Sequence, residues 1–203
     1  MLLYVYNQNN RKKTFSWLAS IALISGACVL SACSDSDDNP IMPESVYDEN
    51  RPVGWASVDG VTTGSNDQNP VTVTTREALI AALSGTDAKT IYVKGTILFD
   101  GVVNIKGAAN KTVYGLAGSV LQNSIHSADP QESGILLFEE CYNIILRNLT
   151  FKSAGAYDID GYDNFALSGS HHIWVDHCDF QDGVDGNFDI ICGSDNISVT
   201  WCR

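Results

Sequence analysis

Four short segments in the second half of the chain follow one pattern: NKTVYGLAG from Asn110, NIILRNLTF from Asn143, HIWVDHCDF from His172 and NISVTWCR from Asn196. Each opens with a polar residue and then alternates apolar and polar side chains, the period of a strand with one buried face. The starts lie 33, 29 and 24 residues apart. A constant strand core with a drifting period describes a coil whose connections vary in length, and stacked coils of that kind make a parallel β-helix. One coil cannot bury its apolar face alone; a stack can. Aligned in this way, Ile144, Ile173 and Ile197 fall in one column and Leu146, Val175 and Val199 in a second, both facing inward. Asn148, His177 and Trp201 form a third column. Leu149, Cys178 and Cys202 form a fourth, read as an inward apolar stack in preference to a disulfide. The competing architecture is a β-sandwich, and the absence of regular hairpin turns and the long, variable connections argue against it.

Ahead of the coils the chain divides into three parts. Residues 1–32 read as an export signal and stand outside the fold. Arg11-Lys12-Lys13 is a basic start, and FSWLASIALISGACVL is an apolar run too short to cross a bilayer comfortably. Leu30-Ser31-Ala32-Cys33 is similar to a bacterial lipoprotein cleavage box, which makes Cys33 the lipidated residue and its lipid the membrane anchor. SDSDD behind Cys33 resembles the acidic export signal of surface-exposed bacterial lipoproteins; a plain solvated tether fits it equally. The expectation is an exported protein at the outer membrane, the cell surface or outside the cell. Residues 33–53, with Pro40, Pro43 and Pro52 and no apolar period, read as a polar tether. The folded domain is expected over 54–203. Within it, Thr74 and Glu77 fit a capping box that opens a short helix, EALIAALSG, ending at Gly85.

The charge balance narrows the partners. Twelve Lys and Arg stand against 24 Asp and Glu, and three of the twelve lie at Arg11–Lys13. So acidic a surface does not bind nucleic acid through its overall field. It suits cations, or polyanions bridged by a cation. Residues 171–189, HHIWVDHCDFQDGVDGNFD, concentrate three His and five Asp. On an extended strand His172 and His177 point to opposite faces, and His171 and His177 lie about 20 Å apart. The histidines therefore read as scaffold and surface groups, and not as a zinc site. Asp185 and Asp189 would be roughly 13 Å apart on a straight strand. A bend at Gly186-Asn187 would bring them together, and clustered carboxylates without a basic neighbour suit Ca²⁺. The spacing is not an EF-hand loop, because Ile190 and Asn196 stand where its Gly and Glu belong. From the residues alone, a calcium site and a solvated acidic turn both remain open.

IWVDHCDF, DGVDGNFDI and GSDNISVTW resemble the central signature of the family 1 polysaccharide lyases, the pectate lyases. GWASVDGVTTG from Gly54 and VTVTTREALIAALSGTDAKTIYVKGTI from Val71 resemble their mature N-terminus and their capping helix with the first coil. The resemblance covers roughly residues 54 to 203 and implies a right-handed, all-β parallel β-helix of the pectin-lyase type. It implies a calcium-dependent lyase, expected to be a monomer, that cleaves polygalacturonate or similar pectin-type acidic polysaccharide by β-elimination. Carried over by motif, the metal ligands are Asp163, in Tyr162-Asp163-Asn164-Phe165-Ala166, with Asp185 and Asp189. Some members carry another acid two residues before the first ligand; here Gly161 holds that place, and Asp160 would serve only with a changed backbone. Asp176 and His177 match the Asp-His of the signature as scaffold. The family's base is an Arg in an Arg-x-Pro-Arg-like motif on a later coil, aided by a Lys, and neither motif occurs here. Arg147, Lys152 and Arg203 do not match them. The chain is thus expected to be the N-terminal portion of a lyase, incomplete at its C-terminus, with the base beyond residue 203 and no activity of its own. The alternatives are a non-catalytic surface β-helix that binds calcium and acidic polysaccharide, and a purely structural one.

Overall fold

The computed structural model describes residues 50–203; the export signal, Cys33 and the tether as far as residue 49 lie outside them. In chain order the elements are β1 (Val71–Val73), α1 (Arg76–Leu83), β2 (Lys89–Val93), β3 (Thr96–Phe99), β4 (Val103–Lys106), β5 (Ala109–Gly115) and β6 (Val120–Asn123). They continue with β7 (Leu136–Glu139), β8 (Tyr142–Arg147), β9 (Thr150–Lys152), β10 (Phe165–Ser168), β11 (His171–Asp176), β12 (Asp179–Gln181), β13 (Phe188–Ile191) and β14 (Asp195–Thr200). Every third strand after β2 joins the same sheet. Sheet A runs β1-β2-β5-β8-β11-β14, sheet B β3-β6-β9-β12 and sheet C β4-β7-β10-β13. All the pairings are parallel, so each coil contributes one strand to each sheet and the coils stack as a parallel β-helix.

The predicted columns are the observed register. Ile144, Ile173 and Ile197 pair in order, as do Leu146, Val175 and Val199, and all but the half-buried Val199 are buried in the bore. Leu149, Cys178 and Cys202 also stack inward, with the Cys178 amide 3.4 Å from Cys202 Sγ. At the head of the isoleucine column stands Lys111, buried to 1 % exposure. Its Nζ donates to Gly85 O (2.9 Å) and to Asp87 O, so the ammonium satisfies carbonyls just past α1 in place of water. α1 closes this end of the bore with Leu79 and Leu83. Its N-cap is Thr75, whose hydroxyl accepts from Ala78 N, and not Thr74; the capping-box reading was one residue early.

The polar residue that opens each segment is a corner. Asn110, Asn143, His172 and Asn196 all have φ between 53° and 57°, one residue into a sheet A strand. Asn148, His177 and Trp201 repeat that conformation where sheet A turns into sheet B, at 51° to 55°. Left-handed backbone is uncommon outside glycine, and Asn tolerates it best because its short amide bonds locally. Asn143 shows how: its Nδ2 donates to Asn110 Oδ1 on the coil below (2.7 Å), while its Oδ1 accepts from Thr63 N and Gly64 N. Those two amides belong to a strap, residues 53–65, laid over the outside of sheet A. Ser198 Oγ accepts from Ala56 N and donates to Val53 O, and Ala56, Ile145 and Trp174 are buried together beneath the strap.

The corner from sheet B into sheet C carries the long loops, 124–135, 153–164 and 182–187. They edge the outer face of sheet C. Below that face, Phe138, Phe151, Phe165, Phe180 and Phe188 stack across coils with centroids 5.0–5.3 Å apart between neighbours. Phe151, wholly buried, touches two of the rings. Its replacement by Ala is expected to destabilise the protein by about 3–5 kcal/mol, and by Leu substantially less. Urea unfolding of the two variants checks this; equal, small effects would mean the aromatic stack contributes little.

Candidate functional site

Asp163, Asp185 and Asp189 come from two successive coils. Asp163 is the last residue but one of the 153–164 loop before β10, Asp185 sits in the turn before β13, and Asp189 is the second residue of β13. Parallel pairing extends past the strands: Asn164 N donates to Gly186 O (3.3 Å) and Phe165 N to Asn187 O (3.2 Å). Ala166 pairs with Asp189, so alternation turns Asp189 outward on sheet C. The turn is tight in a way only glycine allows. A Cβ on Gly183 would overlap the carbonyl oxygen of Gly186, and one on Gly186 would overlap the Asp163 carboxylate. Gly161 N donates to Asp185 Oδ2 (3.1 Å) and links the two loops.

The electrostatics of this corner are one-sided. Burial pushes the half-buried Asp163 carboxyl up to about 6; the charges of Asp189 and then Asp185 push the same way, and the Gly186 backbone amide opposes them. None of the three is ion-paired to a cationic side chain among the described residues; Lys152, on β9, reaches Asp182 instead (3.8 Å). As they stand, no three His, Cys, Asp or Glu among the described residues converge tightly enough to enclose an ion. The set is an open one: three carboxylates within electrostatic reach of each other, uncompensated and facing solvent. An all-oxygen donor set of this kind suits Ca²⁺ better than zinc, whose sites are usually built on Cys and His.

The other predicted residues fall elsewhere. Asp176 is fully buried under the strap and accepts from Arg147 Nε (2.8 Å) and Thr200 Oγ1 (2.6 Å), with His177 Nδ1 at 2.8 Å. Trp174 Nε1 donates to the same Thr200 hydroxyl (2.8 Å), and the Arg147 guanidinium lies 5.0 Å from the Trp174 ring. Asp176 is thus a buried, fully partnered group of sheet A, and His177 is its half-exposed neighbour. Arg203 is bonded to Asp179 (2.7 Å). The histidines depart from simple alternation: left-handed backbone at His172 swings its ring to His171, with the Nδ1 atoms 2.9 Å apart and Tyr142 stacked on His171. A strand period cannot reveal that meeting. Sequence reasoning also missed Asn164 and Asn187, which bond each other beside the acidic turn (2.9 Å); the only signal was the glycine-rich run from Gly183 to Asn187.

The family model described as pectate lyase matches residues 45–200. Among curated proteins, the chain is 33% identical over 165 residues to a pectate trisaccharide-lyase of Thermotoga maritima, covering 75% of this chain and 42% of that protein. It is 30% identical over 196 residues to a probable pectate lyase A of Aspergillus niger, covering 92% of this chain and 55% of that protein. The chain therefore spans about half the length of the curated relatives it matches. The fold is shared with a Bacillus sp. N165 pectate lyase solved in complex with trigalacturonate: TM-score 0.58, 19% identity, 74% of this chain and 51% of that one. A Bacillus subtilis pectate lyase variant gives a TM-score of 0.57 at 20% identity, over 74% of this chain and 58% of that one.

A carboxyl whose folded value is raised stabilises the protein fully below its unfolded value and loses that contribution as pH rises through the folded one. For Asp163 the window runs from about 4 to about 6. With cations removed by a chelator, Asp163→Asn is expected to stabilise the protein at pH 7.5 by on the order of 1–2 kcal/mol, after discount for partial exposure. The gain should vanish at pH 4. Thermal unfolding at the two pH values measures it; a gain that persists at pH 4 would locate its cause outside the carboxylate charge.

Proposed function

The chain belongs to the pectate lyase family, and from that premise we propose that its coils hold the calcium ion of a lyase that cleaves polygalacturonate by β-elimination. The observation that carries the proposal is the uncompensated trio Asp163, Asp185 and Asp189 at the edge of sheet C. The substrate is a polyanion, with a carboxylate on every sugar, and the protein surface is acidic. Contact between them needs a cation. Bound calcium would supply a charge that joins protein and galacturonate carboxylates and makes the neighbouring C5 proton more acidic. Asp189, on a strand, fixes one ligand position rigidly. Asp185, on the turn, and Asp163, at the loop end, close on it from two coils. The outer faces of β4, β7 and β10 extend beside this point as a floor for the sugar chain, with the long loops as its wall.

Elimination also needs a base for the C5 proton as the C4–O bond breaks and leaves an unsaturated sugar end. Arg147 is committed to Asp176 beneath the strap and Arg203 to Asp179. Those pairings support placing the base outside the described residues. A non-catalytic reading, in which these coils bind calcium and acidic polysaccharide without cleaving it, draws on the same observation. We further propose that the protein acts as a monomer, held at the cell surface through a lipid on Cys33.

Calcium titration by calorimetry tests the ligands. Asp185→Ala and Asp189→Ala are each expected to weaken binding at least about tenfold without unfolding the coils. Unchanged affinity in both returns these residues to a solvated turn. The polysaccharide assay tests the chemistry. Residues 33–203 on their own are expected to bind polygalacturonate with calcium yet turn over some 10²- to 10⁴-fold more slowly than a protein in which the same coils are joined by a base. Release of ultraviolet-absorbing unsaturated ends must stop with a chelator. Chelator-resistant cleavage to saturated ends contradicts the mechanism.

A further inference from the structure

We propose that Asn187 is a positioning residue for the acidic site: its side-chain carbonyl holds the turn that carries Asp185 against the loop end that carries Asp163. The proposal rests on the reading of Asp163, Asp185 and Asp189 as cation ligands. Asn187 Oδ1 accepts two hydrogen bonds. One comes from Gly183 N (3.1 Å) and closes the turn across Asp185. The other comes from Asn164 Nδ2 (2.9 Å), and Asn164 is the residue after Asp163. One oxygen atom therefore ties together the two segments that bring carboxylates to the site.

Asn164 gives that oxygen a fixed partner. It is wholly buried and every polar atom of its amide is used: Nδ2 also donates to Gln181 O (2.8 Å), and Oδ1 accepts from the Ser153 hydroxyl. A flipped Asn164 amide would set its oxygen against two acceptors, so only one orientation satisfies the cluster. Ser153 follows β9, Gln181 ends β12 and Asn187 precedes β13, so the cluster spans two coils. Both lone pairs of Asn187 Oδ1 are engaged, which makes Asn187 a support for ligands and not a ligand through that atom. The glycines at 183 and 186 remove the Cβ atoms that would hold the turn open, so Asn187 is left as its side-chain clasp. Groups that hold metal ligands in place without touching the metal commonly change metal affinity 10- to 100-fold when removed.

The test uses the full chain, with Asn187→Ala to remove the acceptor and Asn187→Asp to keep it. Calcium affinity is measured by calorimetry, hydrogen exchange at the Gly183 amide reports the clasp without any metal, and the melting temperature in chelator reports the scaffold. Asn187→Ala is expected to weaken calcium binding about tenfold or more and to speed Gly183 exchange, with little change in melting temperature. Asn187→Asp should restore slow exchange and at least the original affinity. If the unsubstituted chain binds calcium and Asn187→Ala binds it equally well, the positioning role is wrong while the cation site stands. Equal losses in the Ala and Asp variants overturn the acceptor role. An unsubstituted chain that binds no calcium overturns the cation site and this proposal together.

Discussion

In-register stacking of parallel coils is the constraint on which everything else in this molecule depends. Each strand takes its backbone partners from the coils before and after it, so a column of side chains is fixed as soon as one pair is set. Ile173 between Ile144 and Ile197, and Val175 between Leu146 and Val199, set sheet A. Coils at strand spacing, roughly 4.8 Å, then leave no freedom in the corners. The chain must bend sharply within a few residues as it enters sheet A, and Asn143, His172 and Asn196 take left-handed backbone at equivalent places there. Most of the variation in length falls at one corner, between sheets B and C.

The acidic site is a product of that corner. Loops 153–164 and 182–187 belong to successive coils, so Asp163 and Asp185 come within electrostatic reach of each other although they stand 22 positions apart in sequence. Two ways of handling acidic side chains stand side by side in this fold. Asp176 is buried and fully partnered, by Arg147, Thr200 and His177, and its role is to fasten sheet A. Asp163 is half-buried with two further carboxylates nearby and no ion-pair partner among the described residues, and its carboxyl is correspondingly hard to ionise. An arrangement that repels itself at neutral pH is costly to keep unless something positive enters it.

The inward columns were legible in the sequence because burial imposes period two on each strand and the coils repeat it. The corners were only half legible. The polar residue at the head of each segment was visible as a marker, but its left-handed backbone was not, and regular alternation therefore gave no sign that His171 and His172 meet. The helix cap slipped from Thr75 to Thr74 because either hydroxyl stands near Glu77 in sequence, and only backbone geometry selects between them. Asp185 and Asp189 were visible as a cluster, whereas Asp163 came through a family motif, since nothing local ties it to a turn one coil later. Asn187 was invisible for the same reason. Its partners are a glycine amide and a buried amide on another coil, contacts with no sequence period.

The account stands most directly on whether one cation is shared by these carboxylates. A crystal structure of the protein grown with calcium, with anomalous scattering to locate the ion, measures this. The expected result is a single peak at the edge of sheet C with an oxygen of Asp163, of Asp185 and of Asp189 each within about 2.3–2.6 Å. A calcium ion bound elsewhere, with these three carboxylates left to solvent, would contradict it.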